Sequence, residues 1–144
     1  MAESKIVVRT GESVLEVEEP DLVIYRLIGH VDGPDIRALR KAEGEWNVGK
    51  PYLLVLVDIS QHHVTTMAAR KASVEPGTGT RIRALAVSGG TRHLRVIVEL
   101  ALRGIRMIRK PTTEMRFFDD EPSAREWLHA QRPMLAEKAS SGTP

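Results

Sequence analysis

In the stretch LVLVDISQHHVTTMAARKAS, residues 54–73, one aspartate, one serine, two histidines and two threonines fall within nine positions. Three kinds of chemistry use such groups. A metal centre needs converging histidine and carboxylate ligands. Nucleophilic catalysis needs a hydroxyl beside a base. A phosphorylation switch needs a hydroxyl where an added phosphate changes the local field. His62 and His63 are adjacent, and neighbours on an extended chain point to opposite faces, so they do not converge on one ion. His30, His93 and His129 are scattered, with no His-x-x-x-His spacing. No metal or other cofactor is expected, and the histidine pair reads as exposed loop. Asp58 and Ser60 follow an apolar run. In open α/β sheets ligands collect at the carboxyl ends of strands, which makes the pair a candidate docking or ligand loop. Ordinary turn chemistry explains them as well and is preferred: short polar side chains bond loop amides and position the next helix. Thr65 and Thr66 stand where a helix begins. Either is a good N-cap, worth about 1 kcal/mol, and either is a candidate phospho-acceptor, since a phosphate also sits well on helix amides.

A second concentration of chemistry lies downstream. The stretch SGGTR, 88–92, offers Gly89, Gly90 and Thr91 between a strand and a helix. It lacks the glycine and lysine spacing of a P-loop and the glycine spacing of a dinucleotide fold. A glycine turn with Thr91 as N-cap is the plain reading; the free helix amides beside Arg92 also suit an anion. Residues 81–110 hold eight Lys/Arg and a single acid, Glu99, a net of +7 in a chain whose total is +2. In the helix 91–104, Arg92, Arg95, Glu99 and Arg103 form one narrow polar stripe, and Leu94, Val96, Ile97, Val98, Leu100, Ala101 and Leu102 fill the rest. That apolar arc is wider than the roughly 100° of an ordinary surface helix. Burial on two sides would account for it. So would contact with a partner subunit, an apolar ligand or a membrane, with Arg92, Arg95, Arg103 and Arg106 meeting phosphate.

Several classes are disfavoured. With no cysteine, disulfides, thiolate nucleophiles and zinc–thiolate sites are excluded. There is no Gly-x-Ser-x-Gly elbow, His-Glu-x-x-His or nucleotide motif, and the protein is not expected to be an enzyme. Two Phe, two Trp and two Tyr give no stacking platform, so nucleic acid is not an expected partner. The start is polar, and no apolar run approaches the ~18 residues needed to span a bilayer. A soluble, cytoplasmic protein is expected, with membrane association allowed by the basic segment.

The elements that must position these groups read as follows. KIVVRT, SVLEVEE and LVIYRLIGHV are three strands at hairpin spacing. VDGPDIRALRKAEGEWNVG is a helix with Asp32 as N-cap and Asp35 at capping-box spacing, stopped by Gly49-Lys50-Pro51. YLLVLVDI, 52–59, is a central strand. A helix from Thr65 or Thr66 ends by Pro76, and EPGTGT is a loop. RIRALAVSGG is a strand, and the helix after it is closed by Gly104. IRMIRKP is either more helix or a short strand. EMRFF is a strand. DDEPSAREWLHAQ is a helix capped by Asp119 or Asp120. The order β-β-β-α-β-α-β-α-β-α implies an α/β fold: a mixed sheet, antiparallel at its start and parallel later, packed by about four helices. One domain is expected over 1–132, with a flexible tail over 133–144.

YRLIGHVDGPDIRAL, followed by LLVLVDIS and then RFFDDEPSAREWL with Phe118, Ala124, Trp127 and Leu128, resembles the STAS domains, the anti-sigma-factor antagonist fold. It is most similar to their SpoIIAA-like, STAS/SEC14-like subgroup. The resemblance spans about residues 5–130. It implies a STAS-like fold and one of two roles. In antagonists a serine at the start of the helix after the central strand is phosphorylated, within Asp-Ser-Ser-Gly. Here Val64 replaces the aspartate, and Met67 and Ala68 replace the small polar residue and glycine. The subgroup generally lacks that motif and is associated with membrane or hydrophobic-ligand binding. The first expectation is therefore a non-enzymatic module for an apolar or lipid-like ligand or a membrane surface, using helix 91–104. The second is a regulatory module docking an anti-sigma factor or another regulatory protein, with Thr65 or Thr66 as a degenerate switch. Unoccupied apolar surface would also favour a homodimer.

Overall fold

The computed structural model describes residues 3–73, 75, 82–109 and 114–141, with the backbone alone for 101, 102, 104–109 and 136–141. Three strands come first: β1 (Ser4–Thr10), β2 (Ser13–Glu18) and β3 (Leu22–Val31). Then α1 (Gly33–Trp46), β4 (Leu53–Thr65), α2 (Met67–Ser73), β5 (Ile82–Ser88), α3 (Arg92–Arg109), β6 (Glu114–Phe118) and α4 (Glu121–Ser141) follow. The element order is the one expected. The six strands lie in sequence order in one sheet. β1, β2 and β3 pair antiparallel, and β3 to β6 pair parallel.

Each parallel pair is joined by a crossover helix, which puts α1, α2 and α3 on one face. Packing shows this directly. Leu39 of α1 is buried with Leu15, Val17, Val23, Leu53 and Val55. Ala69 and Ala72 of α2 pack with Val31 and Ile36. Leu94 of α3 packs with Ile59 and Val87. Leu27 touches all three clusters. The alternate residues of the same strands point the other way, as the two-residue period of a strand requires. Leu22, Ile24, Leu54, Leu56, Ala84 and Ala86 meet Ala124 and Leu128 of α4. β3, β4 and β5 thus read as nearly continuous apolar runs because both faces are covered.

Local signals account for most boundaries. Asp32 caps α1, and the capping box with Asp35 is present. Asp120 caps α4, accepting from the Ser123 amide at 2.8 Å. Three boundaries differ from expectation. The central strand does not stop at 59; it pairs with β3 as far as Thr65. His62 and His63 are therefore strand residues, and His62 is buried rather than an exposed loop histidine. Gly104 does not close α3, which runs on to Arg109 and resolves IRMIR as helix. One glycine lowers helix stability without ending the helix when both flanks favour it. Finally α4 passes Pro133 and reaches Ser141, so helical backbone occupies most of the segment expected as a tail. The expected loop EPGTGT lies, apart from Glu75, outside the described residues.

Candidate binding surface

The carboxyl ends of the parallel strands gather most of the residues singled out from sequence. Thr66 caps α2: its hydroxyl accepts from the Ala69 amide at 3.1 Å and donates to Asp32 Oδ1 at 2.6 Å. One hydroxyl thereby ties the start of α2 to the start of α1. Asp32 is held below its ordinary pKa, first by the Thr66 hydroxyl and then by the Gly33 amide. Thr65, the last residue of β4, bonds the His62 ring through Nε2. His62 Nδ1 is buried without a partner. Burial, helped by repulsion from His63, lowers the His62 pKa. A hydroxyl beside a base is therefore present, but among the described residues no third group orients the ring, as a catalytic relay requires.

Asp58 and Ser60 lie inside β4, where its pairing with β3 shifts register, and not in the turn expected from sequence; Asp58 Oδ1 accepts from the Ser60 amide at 3.0 Å and hydroxyl at 2.7 Å. Its other oxygen faces Arg26 at 2.9 Å. Gly89 and Gly90 lie against this part of β4 with φ of 79° and 81°. A Cβ on Gly89 would stand 2.8 Å from Ser60 Cβ, and one on Gly90 2.7 Å from Ile59 Cδ1. The glycines are thus fixed by a close backbone approach as well as by their conformation. Thr91 caps α3, accepting from the Leu94 amide at 3.2 Å. Next to it Ser88 is 1% exposed, and its hydroxyl is unpartnered.

Arg26 belongs to a ladder that the sequence reading missed. It pairs with Glu16 at 3.0 Å, Asp58 at 2.9 Å and Glu121 at 2.6 Å. Glu121 also pairs with Arg125, which reaches Glu18. Glu18 receives His129 and Arg132 as well, and Arg132 continues to Asp21. The helical members recur at spacings of four, four and three, one side of α4. The Arg26 hydrogen bond, outweighing burial, lowers the Glu121 pKa to about 2. Burial raises the pKa of Glu18, but hydrogen bonds from Arg132 and His129 prevail and leave it lowered. These ion pairs dock α4 on the sheet. The only sequence signal was the helical spacing of Glu121, Arg125, His129 and Arg132; their partners are about a hundred residues away.

α3 is different. Its inner side, Leu94 and in part Val98, packs on Ile59 and Val87. Its outer side carries Arg92, Val96, Leu100 and Arg103, spaced four, four and three and so aligned along the helix. Val96 is 50% exposed and Leu100 63% exposed. The apolar arc of this helix is therefore not enclosed by its own domain. The expected polar stripe also divides. Arg95 turns inward, donating to the Gly89 and Phe118 carbonyls at 3.0 and 2.9 Å and pairing with Asp119 at 2.9 Å. It clamps the ends of β5 and β6. Arg103 pairs with Glu99 at 2.8 Å, both at the surface. Arg92 is exposed beside Val96. The Arg106 side chain lies outside the described residues. Among the described residues no group of His, Asp and Glu is arranged to hold a metal ion, and no helix is long and apolar enough to cross a membrane.

Comparison with known proteins adds a family. The profile described as SpoIIAA-like matches residues 22–129. Among solved structures, an uncharacterized protein of the DUF3478 family with a SpoIIAA-like fold, from Shewanella loihica PV-4, is similar. The two are 20% identical with a TM-score of 0.59, over 89% of this chain and 95% of that one. At that identity the likeness is one of fold. No curated protein matches.

Proposed function

The chain belongs to the SpoIIAA-like family, and from that premise we propose that it is a non-enzymatic binding module. Its ligand is apolar or lipid-like, or is a membrane surface, and the outward side of α3 receives it. The observation that carries this reading is Leu100 at 63% exposure beside half-exposed Val96, on a helix whose other side is already packed. Large apolar side chains aligned on one helix face mark an interaction surface more often than scattered single ones do. A binding role is supported by the strand ends, where the Thr66 and Thr91 hydroxyls cap helices, the Ser60 hydroxyl bonds Asp58, and Asp58 and Glu121 are held by Arg26. The test is titration with a long-chain fatty acid carrying a fluorescent reporter. Saturable binding is expected, weakened about tenfold or more in Leu100→Glu, since burying a leucine contributes roughly 1.5–3 kcal/mol. No saturable binding, or equal binding by the variant, would contradict the reading.

A second reading has its own observation. Met67 at 69% and Val64 at 49% exposure flank Thr65 and Thr66, and this apolar pair suits a regulatory protein docking at the β4–α2 junction. In that reading Thr66 is less suited than Thr65 to accept phosphate, because its hydroxyl is committed to the cap and to Asp32. Phosphate mapping after incubation with protein kinases tests it. Modification at neither threonine removes the switch and leaves only unswitched docking.

A further inference from the structure

We infer that His62 is a proton-operated latch: taking up a proton drives its ring out of the fold and frees α2. The latch sits at the end of β4 and does not depend on what α3 binds. His62 is 7% exposed, and its ring is held through Nε2 by Thr65. Nδ1 is buried without a partner. A neutral imidazole carries one N–H, and the Thr65 hydroxyl serves either tautomer, accepting from Nε2–H or donating to bare Nε2. An imidazolium carries two. Thr65 accepts from one; the other, on Nδ1, has no acceptor where the ring lies. A buried charge with an unmade hydrogen bond is strongly disfavoured. Turning the ring into water removes both penalties.

The surrounding charges do not offset this. His63 follows on β4 and repels a charged His62. On β3 the residue opposite is Gly29, over which the Glu12 carboxylate of the β1–β2 turn lies, and His30 comes next. Asp32, at the start of α1, is taken up by the Thr66 hydroxyl and the Gly33 amide. On α2 the charged groups are Arg70 and Lys71, both cationic. Among the described residues no carboxylate pairs with the His62 ring.

What the latch holds is weakly held otherwise. α2 has seven residues, too few to be stable unpacked. Its buried residues are two alanines, Ala69 and Ala72, against Val31 and Ile36. Two threonines lead into it: Thr66 ties it to Asp32, and Thr65 ties the same backbone to His62. Segments with so little buried apolar surface are the ones that open locally. Opening uncovers Val31 and Ile36, so acid changes the surface that a partner meets at the β4–α2 junction.

The test is an NMR titration of the isotope-labelled full chain from about pH 8 to about pH 5, following the His62 ring and the backbone amides. The amides of Thr66, Ala69 and Ala72 should shift with one midpoint, below 6.5 and shared with the His62 ring. The ratio of released to docked α2 should rise by up to about tenfold for each pH unit below that value, the slope of a single linked proton. The amides of Leu54 and Leu56, in the buried sheet, should stay as they were. His62→Gln and His62→Leu should each remove the α2 transition. His63→Gln should keep it and raise its midpoint, since a repelling neighbour is gone, and His30→Gln should keep it. Circular dichroism at about pH 8 verifies the fold of each variant; should neither His62 variant fold, the shared midpoint in the parent decides. Four results overturn the inference: α2 amides that do not move, a transition that survives both His62 substitutions, one that His63→Gln or His30→Gln abolishes, or one in which Leu54 and Leu56 shift together with α2.

Discussion

Thr66 and His62 show how far a residue's type constrains its role. A threonine at a helix start reads equally as cap and as phospho-acceptor. The structure gives its hydroxyl two partners, the Ala69 amide and Asp32. Thr66→Ala should therefore cost about 1–2 kcal/mol in urea unfolding, with Thr66→Ser recovering most of it. Full stability in the alanine variant would remove the cap from the account. His62 makes a different prediction. The fold lowers its pKa, while the unfolded chain takes up the proton near the ordinary value of 6.5. Below that value the unfolded state binds more protons, so stability is complete above it and declines as pH falls. Comparing melting at roughly pH 8 and pH 5, His62→Leu should lose less stability on acidification than the parent. Equal losses would show that another group is responsible.

At the scale of elements, α3 is a helix with two apolar sides and only one packed. Leu94→Ala should cost about 2–5 kcal/mol, since it opens a space between Ile59 and Val87. Leu100→Ala, six residues on, should change stability by less than about 0.5 kcal/mol. Chemical denaturation of the two variants measures the difference; equal costs would mean that Leu100 is packed in solution. The width of the apolar arc was legible in the sequence, as were the caps Asp32 and Thr91, while the cap of α4 was narrowed only to Asp119 or Asp120. Each of those signals is local. The length of β4 was not legible. Beyond Asp58 it turns to Ser60, Gln61, His62 and His63, because there it pairs with β3 while β5 has already ended at Ser88. Strand pairing without full cover leaves no apolar run to read. The ladder was hidden for another reason: Glu18 and Arg132 meet across 114 positions of chain. The inward turn of Arg95 was not legible because its partners, the Gly89 and Phe118 carbonyls, come from two strand ends.

In the whole molecule, the sheet separates a face where α3 is half bare from a face closed by α4 and its ion pairs. The charge imbalance was visible in the sequence; that Arg92 stands exposed on α3 while Arg95 turns inward required the fold. The absence of cysteine allows a direct measurement. A cysteine at Val96, and separately at exposed Glu126 on α4, can carry a polarity-sensitive fluorophore. On addition of anionic vesicles the label at 96 should shift to the blue and become shielded from an aqueous quencher, while the label at 126 stays as it was. A shift at 126 with none at 96, or no shift at either, would contradict the claim that the outward side of α3 is where this protein binds.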